Sequence, residues 1–119
     1  MEKGIVTPPK WDREEVVLLI VEYFRTKNLS VSDILQSQEM ISKVLKKRYE
    51  KITGIKPDEL FRNLNGIILQ SGRIRCLDPD TEYTGMIPTR LQRQVYKEYV
   101  DNPSKLISEA YSIITRYYD

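Results

Sequence analysis

Two sets of carboxylates are spaced closely enough to do chemistry: Glu14, Glu15 and Glu22 in one stretch, and Asp78, Asp80 and Glu82 in another. Convergent carboxylates serve as general acids and bases or hold a divalent cation. Neither set completes such a site. Histidine is absent from all 119 residues, which removes Ser-His and Cys-His nucleophile pairs, histidine metal sites and the usual base near neutral pH. A calcium loop needs a longer series of oxygen ligands, usually closed by a bidentate Glu, so Asp78 to Glu82 reads as an acidic turn. Glu14 and Glu15 are accounted for by helix capping and solvation, and no lysine stands beside a strand-borne carboxylate pair. The expectation is a chain without catalytic residues, metal or cofactor.

The basic residues point elsewhere. Net charge is only +2, but Lys43 to Arg75 holds nine basic against three acidic residues, a local +6, while the segments on either side are each −2. Lys43, Lys46, Lys47, Arg48 and Lys51 fall on the polar face of a helical pattern, and two readings fit them: a solvated face whose cations match the helix dipole, or a surface that holds phosphates. Further on, Arg62, Asn63, Asn65, Gln70, Arg73 and Arg75 are side chains able to contact phosphates or to bond guanine and adenine edges.

The elements that must position these residues are helical. Trp11 and Val16 occupy the two positions of a hydrophobic staple around Asp12, with Glu15 completing a capping box. A first helix from there to about Thr26 contains Val16 to Val21, apolar on nearly every face, and so takes the centre of the core. Ile34, Leu35, Ile41, Val44, Leu45, Tyr49 and Ile52 recur at helical spacing, predicting a second helical stretch with a candidate break near Ser37 and a stop at Thr53-Gly54. Pro57 opens a short turn, Asn63 caps a helix from Leu64 to about Ser71, and Gly72 ends it. A loop of about a dozen residues, Leu77 to Thr89, precedes two last helices. These carry Leu91, Val95, Tyr99 and Val100, then Leu106, Ile107, Ala110, Ile113, Ile114 and Tyr117, divided at Asn102-Pro103. The tyrosines of the last helix read as core or partner-facing. The fold expected is all-α: a compact bundle of about five helices whose central part is helix-turn-helix (Myb/SANT-like). Residues 11–119 form a single domain behind an extended lead-in over 1–10, where Pro8 and Pro9 disfavour helix.

With one cysteine, Cys76, no internal disulfide forms, as expected of a reducing compartment. The N-terminus has no signal-peptide run, and Val16 to Val21 is far short of the roughly 20 apolar residues that span a bilayer. A cytoplasmic protein without membrane attachment is expected.

Several of these residues together carry a family likeness. Trp11, Glu14, Glu15, Leu18, Tyr23, Phe24 and Arg25, then Arg62-Asn63-Leu64-Asn65-Gly66-Ile67, Leu77-Asp78-Pro79, and Val95-Tyr96 with Tyr99 make the chain resemble the helical N-terminal domain found ahead of HNH endonuclease domains in prokaryotic restriction-type proteins. The resemblance spans Trp11 to Ile114. Leu64 stands where that family has Pro, Gln70-Ser71 where it has Lys-Leu, and Arg73-Ile74 where it has Asn-Phe. It implies a DNA-binding module of a restriction or antiviral defence system, with double-stranded DNA and a nuclease domain or subunit as partners. Cleavage would belong to a separate HNH domain, whose motif requires histidines this chain lacks. The competing expectation is a protein-interaction or oligomerisation module acting through the tyrosine-rich last helix or the one before it.

Overall fold

Asp12 starts the first helix by the mechanism its neighbours dictate. Its carboxylate accepts from the Glu15 amide at 3.1 Å while the Glu15 carboxylate accepts from the Asp12 amide at 3.0 Å, so two of the orphan donors at the helix start are satisfied reciprocally. Helix α1 (Arg13–Thr26) follows. All six residues Val16 to Val21 are buried, and each of the other four helices packs on this one. A helix apolar all round is stable only when it is covered all round.

The computed structural model describes residues 9–118. The remaining helices are α2 (Val31–Thr53), α3 (Leu64–Arg75), α4 (Arg90–Asp101) and α5 (Pro103–Tyr117), and the described residues contain no strand. The architecture is the all-α bundle of five helices expected, with the long loop before the last two. Most of the extended lead-in assigned to Met1–Lys10 lies outside the described residues; Pro9 and Lys10 are non-helical. No described helix is long and apolar enough to cross a membrane.

Three details depart from expectation. Helix α2 is unbroken at Ser37, because that hydroxyl donates across to Glu22 Oε1 at 2.8 Å instead of competing for its own helix backbone. Helix α3 runs through Gly72 to Arg75. A Cβ at position 72 would stand 2.8 Å from Met86 Sδ, so the glycine admits the following loop against the helix and does not terminate it. Finally, α2 and α3 are joined by ten residues, 54–63, whereas a helix-turn-helix uses about three or four. That connection dips inward to bury Phe61 and Arg62, which a tight turn has no length to do.

The other boundaries follow the sequence. Gly54 ends α2 at φ +74°, its amide bonding the Glu50 carbonyl, the left-handed conformation that suits glycine. Thr89 and Gln92 form a second capping box, and Asn102 caps α5 with Pro103 in its first turn. Phe24 stacks on Tyr96 and Tyr99 at centroid distances of 5.9 and 5.0 Å, which places both tyrosines of α4 against the core.

Candidate nucleic-acid interface

Along the C-terminal half of α2, basic side chains reach solvent together. Lys43, Lys47 and Lys51 are all exposed and follow one another at four-residue intervals, so they form a row along one face spanning roughly 12 Å at 1.5 Å per residue. Between residues 43 and 53 the only acid is Glu50. Beside the row, Lys47, Glu50, Lys51, Arg116 and Tyr117 line a shallow depression of about 310 Å³. Arg116 is a neighbour the sequence reading missed. Nothing in its local sequence marks it, because only the packing of α5 along α2 brings it there.

Lys46 and Arg48, also on α2, fasten neighbouring elements. Lys46 Nζ donates to the carbonyls of Glu59 at 3.0 Å and Phe61 at 2.7 Å, fastening the 54–63 connection. Arg48 bonds Asp12 at 2.9 Å and Glu14 at 3.0 Å. Glu14 also receives Arg116 at 3.0 Å. Burial pushes the Glu14 carboxyl up, but the guanidinium groups of Arg116 and Arg48 more than offset it and hold its pKa below the ordinary value, which keeps the carboxylate ionised.

Helix α3 and its approach treat their polar residues differently. Arg62 is 7% exposed; it grips Glu15 through two bonds of 2.8 and 3.0 Å and the Pro9 carbonyl at 2.9 Å. Its guanidinium lies over the rings of Trp11 and Phe61 at 4.3 and 4.5 Å. Arg62 also adopts φ +45°, a region unfavourable for a bulky side chain. Asn63 caps α3 by accepting from the Gly66 amide at 2.9 Å. Gln70 accepts from the buried Gln92 at 2.7 Å, and Arg73 Nη1 donates to the Ile87 carbonyl at 2.6 Å. Arg75 is exposed, with its guanidinium 4.7 Å from the centre of the Tyr83 ring. Asn65 is exposed as well, but the residues presented beside it on α3 are Ile68 and Leu69. The solvent face of α3 is therefore apolar in its middle.

The carboxylates also act within the fold. Glu22 is buried and bonded to Arg25 and Ser37. Asp78, buried, accepts from Tyr23 at 2.8 Å, Lys27 at 2.9 Å and the Asp80 amide at 2.9 Å. Burial raises its pKa, and Lys27, the Asp80 amide and Tyr23 together outweigh that and bring it below the ordinary carboxylate value. Tyr23 is pushed up to about 12, by burial first and by its bond to Asp78 second. This cluster moors the 76–89 loop to α1. It also lines one end of a cleft of about 720 Å³, whose walls include Ile34 and Ile41 of α2 and Ile68, Leu69 and Arg75 of α3.

No known protein family, curated protein or solved structure matches the chain.

Proposed function

We propose that the chain is a non-catalytic DNA-binding module that holds the duplex through phosphates, with the row Lys43, Lys47 and Lys51 on α2 as its contact surface. The observation that carries this reading is the row itself: three exposed lysines on one helix face, in the segment that holds the local positive charge. Lysine is a mobile point charge suited to phosphate contact without base readout. Arg62, Asn63, Gln70 and Arg73 have structural partners, so in this reading they shape the domain and Asn65 and Arg75 are what α3 can add at the margin.

The resemblance to the module ahead of HNH domains supports the same assignment, and the proposal includes its setting: a cytoplasmic restriction or defence system in which a nuclease domain or subunit supplies cleavage. Fluorescence anisotropy of a labelled duplex, titrated with the purified chain at several salt concentrations, tests it. Each phosphate neutralised contributes about 0.9 to the slope of log affinity against log salt, so a slope near 3 or steeper is expected. Absent binding, or binding indifferent to salt, overturns the proposal.

A further inference from the structure

The cleft bordered by α2, α3 and the 76–89 loop has a volume of about 720 Å³, within the roughly 300–1,000 Å³ of sites that enclose a small organic molecule. Ile34 and Ile41 on the α2 side and Ile68 and Leu69 on the α3 side make its walls apolar, and Met86 adds to them from the loop. Ile68 and Leu69 remain 43% and 48% exposed, so the fold itself leaves this wall uncovered. The loop wall is held in place. Asp78 ties it to Tyr23 and Lys27, and Gly72 gives Met86 the room to lie against α3. A wall already in position lowers the ordering cost of binding.

The polar groups of the cleft say what fills it. Its carboxylates are engaged already: Glu22 with Arg25 and Ser37, Asp78 with Lys27 and Tyr23, Asp80 with Lys27. A cationic ligand therefore meets no free acid. Arg75 differs. Its guanidinium lies over the Tyr83 ring, and no described residue accepts its N–H groups or pairs with its charge. An uncharged molecule covering Arg75 would strip it of water and give nothing back. A peptide would bring backbone N–H and C=O groups against isoleucine and leucine walls that cannot bond them. A phosphate monoester carries about two negative charges, which Asp78 and Asp80 in the same cleft oppose, whereas a carboxylate carries one and fits the guanidinium fork. We infer that the cleft binds a small monocarboxylate, with its apolar body against Ile34, Ile41, Ile68 and Leu69 and its carboxylate on Arg75.

This goes beyond the DNA-binding reading and does not depend on it. None of Lys43, Lys47 and Lys51 lines the cleft, and Arg75 is only marginal to the duplex surface. The test below contains no DNA, so either reading can fail alone.

The probe is 1-naphthylacetate, followed by amide shifts of the ¹⁵N-labelled full chain, with the isosteric neutral 1-naphthylacetamide and the dianionic 1-naphthyl phosphate in parallel. Saturable shifts at Ile34, Ile41 and along Ile68 to Arg75 are expected, with a Kd of about 1 mM or tighter, as suits a ligand of this size. The amide should bind about tenfold more weakly or worse, the scale of a charge-assisted hydrogen bond, and the phosphate more weakly than the carboxylate. Arg75→Gln should bind acid and amide alike. Leu69→Glu should lose both, with an unchanged helical circular dichroism spectrum. The inference is overturned by the absence of saturable shifts in the cleft, by equal binding of acid and amide to the unaltered chain, or by a preference for the acid that survives Arg75→Gln. Binding that survives Leu69→Glu overturns it too, and tighter binding of the phosphate overturns the choice of a monocarboxylate.

Discussion

Helices α2 and α3 both carry polar residues, to different ends. The C-terminal half of α2 is rich in Lys, whereas α3 and its approach carry Arg, Asn and Gln, and by composition α3 looks the better reader of bases. In the fold, α3 and its approach are drawn against α1 and the 76–89 loop, so Arg62, Gln70 and Arg73 each find an internal acceptor or donor. The C-terminal half of α2 lies at the edge of the bundle with Lys43, Lys47 and Lys51 in solvent. What separates the two is geometry and side-chain chemistry together. Arginine's planar fork can satisfy a carboxylate or several carbonyls inside a protein, whereas lysine's strongly hydrated ammonium favours the surface. Polar residues near a core are first of all available to the core.

The comparison breaks most sharply at Arg62. Its removal leaves Glu15 buried without its charged partner, so Arg62→Ala is expected to destabilise the fold by about 3–5 kcal/mol, measured by urea denaturation, and to affect DNA only through unfolding. A loss under about 1 kcal/mol, the range of exposed ion pairs, would show that this contact is not structural.

Next in size is the lysine row. Lys43→Ala, Lys47→Ala and Lys51→Ala combined should lower the salt slope of duplex binding by about 2.7, at about 0.9 per contact, while each exposed substitution shifts stability by no more than about 0.5 kcal/mol. Glu50→Gln should move affinity the other way. An unchanged slope in the triple variant would return the contact surface to α3.

The smallest effects concern the mooring of the 76–89 loop. The Tyr23 pKa is raised to about 12, so the stability it supplies is fully present below about pH 10, the ordinary tyrosine value, and is lost as pH rises towards 12. Absorbance titration of the wild type minus Tyr23→Phe should give a tyrosinate step near 12; a step near 10 would contradict the bond to Asp78. Asp78 has the opposite sign. Its depressed pKa gives stability that is present above about pH 4, the ordinary carboxylate value, and lost as pH falls through the lower folded value.

Much of the architecture was legible because it rests on local rules. The capping box at Asp12, the left-handed Gly54, the Thr89 cap and the Asn102-Pro103 junction are each fixed by a few consecutive residues, and the continuous apolar run of α1 could only be a core. The departures share one cause. Near neighbours suggest a break at Ser37, a stop at Gly72 and an open Arg62, whereas Glu22, Met86 and Glu15, 15, 14 and 47 positions away, are what these residues meet in the fold. The site was half legible for the same reason: composition marks the basic segment, but burial divides it.

The most direct test of that division is an NMR titration of the ¹⁵N-labelled chain with a short duplex. Amide shifts are expected to concentrate at residues 43–51 and around Arg116, with the interior face of α3, from Ile67 to Ile74, still. Shifts centred on α3 with the α2 row unmoved would contradict it.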